Sequence, residues 1–278
     1  MIHMRIKLIL SAILAGSLLL ESCGGSDSGK LAESGTTPGT AAVSETETAA
    51  PAETSGIIFS DEVDGEMNVY RIKTFESRDA VDFDSVPAAK IDCYKWVDCK
   101  EYDAWAKLVY VRDWGFLCQM TCLEEDPAAT YEKPDDPVCL DSCMEFFAIW
   151  DAGLGGDEYL NIESNSKGVC CTQIGPSREK RIPTFRKLGG YENLFEVNPV
   201  VEDDRWSLTM EIPLEKLQKL YRDISADTFV SGYTFTGNFY KTGGRDITGN
   251  EHYGMWNEVM TETPDFHQPA YFGKFIME

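Results

Sequence analysis

Three histidines in 278 residues leave this chain poorly supplied for chemistry that depends on imidazole. His3 stands at the very start. His252 and His267 sit far down the sequence, without a GxSxG elbow or a cysteine in a catalytic setting, so nucleophilic triads have little to work with. Phosphate loops are missing as well, since Gly153-Leu154-Gly155-Gly156 is a turn signal and not GxGxxG. No CxxCH and no compact CxxC knuckle occurs, which removes covalent haem and weakens a zinc reading. Basic residues are scarce: 25 Lys and Arg face 47 Asp and Glu, for a net charge of −22. A field of that sign repels phosphate backbones and anionic lipid heads, so nucleic acid is not an expected partner, whereas neutral glycans, cationic groups and Ca²⁺ stay compatible. Long apolar runs are absent too. The uncharged stretch over residues 8–20 is too short to cross roughly 30 Å of hydrocarbon.

That stretch follows Arg5 and Lys7 and ends in small residues, so residues 1–22 read as an export signal. Leu20-Glu21-Ser22-Cys23 before Gly24-Gly25 resembles the lipobox of bacterial lipoproteins, in which the cysteine thiol is lipidated. Glu21 departs from that pattern, whose corresponding position is small or apolar, and ordinary cleavage with Cys23 incidental is the competing reading. Residues 24–55 are almost entirely Gly, Ser, Thr, Ala, Pro and Glu, a composition unable to bury enough surface to fold. They read, with Cys23, as an acidic tether over 23–55 that holds a domain away from a membrane. The expected setting is extracytoplasmic, with membrane contact through the lipid alone.

Residues 56–278 suit one β-rich domain, expected to be a monomer. They carry eight cysteines: Cys93, Cys99, Cys118, Cys122, Cys139, Cys143, Cys170 and Cys171. In an exported chain an even count favours disulfides, of which sequence cannot choose the pairing. On one strand Cys118 and Cys122 would stand about 13 Å apart, too far to bond each other, and Cys139 with Cys143 is their natural partner pair. A metal site is the alternative. Asp135-Asp136, Gly155-Gly156-Asp157-Glu158 and Asp203-Asp204 offer oxygens for a structural Ca²⁺, although none follows the EF-hand pattern, and no other cofactor is expected.

Period-2 alternation recurs along the domain and argues strands. In residues 206–212, Trp206, Leu208, Met210 and Ile212 share a face until Pro213. Further strands are expected over 68–75, 106–112, 115–122, 144–150, 158–165, 168–174 and 228–241. Helical spacing occurs only over 214–222, with a second short helix at 102–107. The fold class that follows is all-β, an antiparallel sandwich of jelly-roll type with one or two short helices. Alternation also turns Tyr159, Asn161, Glu163 and Asn165 away from Leu160 and Ile162, and Thr234, Thr236, Asn238 and Tyr240 away from Tyr233, Phe235 and Phe239. Ten of the 43 residues from Tyr233 to Phe275 are Phe, Tyr or Trp, against 12% overall, a density that serves equally a core or a ligand with apolar faces.

Four segments in order carry a resemblance. They are Asp141-Ser142-Cys143-Met144-Glu145-Phe146-Phe147, residues 159–165, residues 206–213, and Trp256 with Pro269-Ala270-Tyr271-Phe272-Gly273. Together they resemble the family 9 carbohydrate-binding modules and their DOMON-like relatives, over about 85–278. The resemblance implies a jelly-roll sandwich that holds a sugar between two aromatic rings while carboxylate, amide and arginine side chains take its hydroxyls. Glu145 matches the family's sugar-binding Glu, with one extra residue after Ser142, and Phe266 falls at one clamp position. Asn161 stands near the family's Arg, so that ionic contact is missing, and no aromatic stands near Val138 or Cys139, where the other clamp ring belongs. The expected carbohydrate site is Glu145, Asn161, Glu163, Asn238, Tyr240, Trp256, Phe266 and His267, with Tyr131 as a further ring. A non-catalytic saccharide-binding domain is expected. The alternatives are a disulfide-stapled structural or protein-interaction module and a glycoside-active enzyme using carboxylates such as Glu145, Glu163 and Asp265.

Overall fold

The computed structural model describes residues 56–244 and 250–278. The signal, the Cys23 lipobox and the tether fall outside the described residues. The strands in chain order are β1 (Val63–Asp64), β2 (Met67–Phe75), β3 (Ala89–Ile91), β4 (Cys93–Tyr94), β5 (Ala104–Val111), β6 (Gly115–Cys122), β7 (Cys143–Ile149) and β8 (Tyr159–Asn165). There follow β9 (Cys170–Gly175), β10 (Ile182–Pro183), β11 (Glu196–Val201), β12 (Trp206–Pro213), β13 (Thr234–Gly243), β14 (His252–Met255) and β15 (Gly273–Met277). Two short α-helices, α1 (Phe185–Leu188) and α2 (Leu214–Leu220), complete the frame.

Hydrogen bonding orders the strands β10-β9-β8-β7-β13-β15-β2-β5-β6-β12-β11. The path curls at β2. Val69–Ile72 pair with β15, and Lys73–Phe75 pair with β5, so one strand serves two layers as corner strands do. Both pairings are parallel, while the other pairings between these strands are antiparallel, as expected of the sandwich. The layers close on one core, in which Phe146, Leu160, Phe235 and Phe239 of one meet Leu108, Phe116, Met120 and Leu208 of the other. Each such side chain contributes about 1.5–3 kcal/mol when fully buried.

Local sequence explains most elements. β12 alternates buried and half-buried along its length, as its residue pattern requires. Pro213 ends it and leads directly into α2, whose Leu214, Leu217 and Leu220 are buried. Residues 104–107, expected in a short helix, belong to β5, which is buried at all eight positions between strands and so hides its alternation. The strand expected from 228 begins only at Thr234, because Thr228 and Val230 are taken up in turn hydrogen bonds to Ser225 and Thr228.

The cysteines depart from expectation. Cys118 and Cys122 are free thiols pointing into the main core, and β6 pairs with β5 and β12, never with β7. Cys143 lies instead on the outer face of β7, in a small cluster with Val138 and Cys171, so the pairing expected between neighbouring strands does not form. Cys93, Cys99, Cys170 and Cys171 are free thiols as well. The acidic turns are occupied by local bonds. Asp136 Oδ2 accepts from the Glu132 and Lys133 amides, Asp204 pairs with Arg205, and Glu158 faces Lys187. Among the described residues no group of three His, Cys, Asp or Glu side chains is arranged to hold a metal, and no helix is long and apolar enough to cross a membrane.

Candidate functional site

Strands β7 and β8 are buried on both faces, which alternation alone did not reveal. Their inner faces fill the main core. Their outer faces lie under the C-terminal segment between β14 and β15, where Phe147, Tyr159, Tyr240, Tyr253, Phe266 and Phe272 form a second apolar cluster. Asn238 and Asn257 fasten that segment. The Asn238 amide donates to Asn257 O at 2.8 Å, Asn257 N donates back to Asn238 Oδ1 at 2.9 Å, and Asn257 Oδ1 accepts from Asn68 N at 2.7 Å. Gly273 then runs so close to Trp256 that an added Cβ would stand 2.5 Å from the indole.

A slot of ≈ 290 Å³ remains between the sheet and this segment. Glu145 and Glu163 rise into it from directly opposed positions on β7 and β8. They are buried, and Glu163 Oε1 accepts from Asn161 Nδ2 at 3.0 Å. Asn161 Oδ1 in turn accepts from Arg181 at 3.0 Å, so an arginine steadies this carboxylate through an amide.

The facing wall is built by Asp265. Its Oδ1 accepts from Arg178 Nε at 2.9 Å, from Arg178 Nη2 and from the His267 amide at 3.1 Å, and its Oδ2 accepts from Gln268 at 2.6 Å. Burial pushes this carboxyl up, but the bonds from Arg178 and Gln268 outweigh it and hold the group below its ordinary value. His267 stacks on Phe147, centroids 4.9 Å apart, with Nδ1 3.1 Å from the Tyr159 hydroxyl. Burial, aided by Arg181 and Arg178, pushes its pKa down to about 2, so the imidazole is neutral at ordinary pH. Burial pushes the Cys143 and Cys171 thiols up, which leaves them unsuited to nucleophilic work beside the slot.

The expected site residues thus divide. Glu145, Glu163, Phe266 and His267 line the slot, and Asn161 stands one layer behind Glu163. Phe266 is only 7% exposed, because Tyr240 covers one face at 4.0 Å and Tyr253 meets its edge. Tyr240 is fully buried beneath it and donates to Phe266 O. Trp256 faces the main core with Phe239 and Phe275, and Asn238 spends its amide on Asn257, so neither reaches the slot. Tyr131 packs beside Val138 and Cys171.

Arg178 and Tyr253 line the slot without having been singled out, and Asp265, considered only as a catalytic carboxylate, serves as an anchor. One signal was available. Arg178, Lys180 and Arg181 crowd into four positions of a chain otherwise dominated by acid. Nothing marked Tyr253, which follows residues of no clear periodicity.

The model of a family described as Carbohydrate-binding family 9 matches residues 76–277. A Bacteroides uniformis ATCC 8492 protein, provisionally named as carbohydrate-binding, is similar in structure with a TM-score of 0.61 at 23% identity, covering 76% of this chain and 99% of its own. A family 9 carbohydrate-binding module of Caldicellulosiruptor kristjanssonii in complex with glucose gives a TM-score of 0.53 at 10% identity, over 76% of this chain and 96% of its own. The module in complex with cellotriose gives 0.52, also at 10%, over 76% and 94%. At these identities the likeness shows the fold, a β-sandwich. A comparison with curated proteins returned no match.

Proposed function

The chain belongs to carbohydrate-binding family 9, and from that premise we propose that its slot holds one unit of a neutral saccharide without cleaving it. The observation that carries this reading is the convergence of Glu145, Glu163, Arg178, Asp265 and His267 on one small space over an aromatic floor. Ionised carboxylates accept from sugar hydroxyls in short, charge-assisted bonds, and arginine and neutral imidazole donate to ring and hydroxyl oxygens. A space of ≈ 290 Å³ is at the small end for a ligand pocket and suits a single ring better than a chain laid along a groove. Three carboxylates against one lining arginine favour an uncharged sugar over a uronate.

Two features support a non-catalytic role. Glu145 and Glu163 stand side by side on adjacent strands and so approach a sugar from one side, whereas glycoside cleavage needs carboxyls flanking the scissile bond. Asp265, on the other wall, is engaged by both Arg178 and Gln268. Stacking contributes less here than a two-ring clamp would, because Tyr240 occupies one face of Phe266. That burial also favours a second reading, in which the rings serve only packing and the domain is a structural or protein-interaction module.

The remaining proposals concern setting. Lipidation at Cys23 and the acidic tether would place the domain outside the cytoplasm on a bacterial membrane, where weak single-site binding gains from local concentration. Isothermal titration of the full chain with a panel of neutral mono- and oligosaccharides tests the reading. Binding of at least one sugar, weakened roughly 10- to 100-fold by Glu163→Gln or Arg178→Ala, is expected for loss of a charged hydrogen bond. No binding across the panel, with the fold intact, moves the account to the second reading.

A further inference from the structure

Tyr191 is the one aromatic among the exposed large apolar side chains of the described residues, with 50% of its surface open. It lies outside the slot and shares no lining residue with it. The chain fixes this ring with some care. Helix α1 ends on Gly189 and Gly190, with φ of 93° and 141°, and both amides donate back to Phe185 O at 3.0 Å. This left-handed exit suits glycine and turns the following 3₁₀ turn, Tyr191–Asn193, back over the helix. The Tyr191 ring consequently stacks on Phe185 with centroids 4.2 Å apart and planes 28° apart, and the Arg186 guanidinium stands 5.9 Å from the Phe185 ring. With Phe185 stacked against the ring, half of Tyr191 stays open to solvent.

Beside the ring runs a groove of ≈ 450 Å³, larger than the slot. Lys216 reaches its floor, 5.7 Å above the buried Phe195 ring, and donates to Leu194 O at 2.6 Å. Lys167 pairs with Glu132 at 2.8 Å on the rim. Two lysines, Lys167 and Lys216, stand there against three glutamates, Glu132, Glu192 and Glu196, leaving a single net negative charge in a chain of −22. Near-neutral balance with donors and acceptors at close quarters suits an uncharged polar ligand, and a flat ring held from behind suits one with an apolar C–H face.

We propose that the Tyr191 groove is a second saccharide-binding site, separate from the slot, in which a neutral oligosaccharide stacks one sugar ring on Tyr191 and places its hydroxyls among the lysines and glutamates of the rim. The groove's size accommodates more than one sugar unit, so oligosaccharides are favoured over monosaccharides there.

The test uses the full chain with the slot disabled by Glu163→Gln and Arg178→Ala. Cellotriose, xylotriose, mannotriose and maltotriose are titrated calorimetrically into this protein and into versions that also carry Tyr191→Ala or Tyr191→Phe. The expected result is residual saturable binding of at least one trisaccharide, weakened roughly 2- to 10-fold or lost with Tyr191→Ala and kept with Tyr191→Phe. Because Tyr191 is exposed, thermal melts of the variants should coincide and separate lost binding from lost fold. Residual binding that ignores Tyr191→Ala overturns the proposal, as does its complete absence in the slot-disabled chain. If the slot substitutions change nothing while Tyr191→Ala removes all binding, the groove stands and the reading of the slot falls.

Discussion

Replacing Lys241 by Met removes a cation that the fold has wholly enclosed. Its ammonium lies 3.3 Å from Glu124 Oε2, donates to Ser142 Oγ at 2.9 Å and to Thr242 O at 3.2 Å, and meets His252 Nε2 at 2.7 Å. Glu124 accepts further bonds from Ser142 and from Trp206 Nε1. Burial pushes the Glu124 carboxyl up, but Lys241 and these two bonds prevail and hold it below its ordinary value. Without the cation the carboxylate keeps its bonds from Ser142 and Trp206 but loses its charge compensation, which for a broken buried pair costs about 3–5 kcal/mol. For a folded unit of this size each kcal/mol lowers Tm by about 2–4 °C, so a fall of roughly 6–20 °C is expected. Glu124→Gln should cost a comparable amount, since it strands the ammonium. The double variant Lys241→Met/Glu124→Gln should cost about 1–3 kcal/mol less than the sum of the two singles. Urea unfolding of the four proteins closes the cycle. Single losses below about 1 kcal/mol, or strict additivity, would refute the claim that the pair is held by mutual compensation.

Three further outcomes follow from the packing and the charges. Burial holds His252 at about 4 and His267 at about 2, both below the ordinary 6.5, so their contribution to stability is full above pH 6.5 and is lost as pH falls, by up to roughly 1.4 kcal/mol per unit for each; Tm should drop between pH 7 and pH 5, less so with His252→Gln, and a flat profile contradicts this. Gly273→Ala should cost about 1–3 kcal/mol in urea unfolding, because the new methyl meets the buried Trp256 ring at 2.5 Å, and unchanged stability would show that the contact relaxes freely. In titrations, a uronate should bind the slot more weakly than the matching neutral hexose, the gap narrowing as salt is raised; equal affinities would mean that Glu145, Glu163 and Asp265 present no net negative field to the ligand.

The sandwich was readable because its strands alternate cleanly where one face meets the core, as Trp206, Leu208, Met210 and Ile212 do. The same alternation assigned Glu163 and Asn161 to the face away from Leu160 and Ile162. It could not say that this face is covered, because residues 256–272 have no period of their own and are held by side-chain bonds such as that of Asn238 to Asn257, 19 positions away. For the same reason Asn238, Tyr240 and Trp256 looked like ligand contacts when they are fasteners and filling. Arg178 could not be assigned to the slot, since its place depends on the loop after β9 meeting Asp265, 87 positions later. The cysteines misled because their spacing constrains distance along a strand but not which strand lies beside it.

On the proposed reading a sugar ring sits between the paired carboxylates of the sheet and the Asp265–His267 wall. A crystal structure of the full chain with a saccharide shown by titration to bind tests this most directly. A ring is expected in the slot, with hydroxyls within hydrogen-bond reach of Glu145 or Glu163 and of Arg178 or His267. A saccharide found elsewhere on the molecule, with the slot empty of it, would rule out binding between these walls.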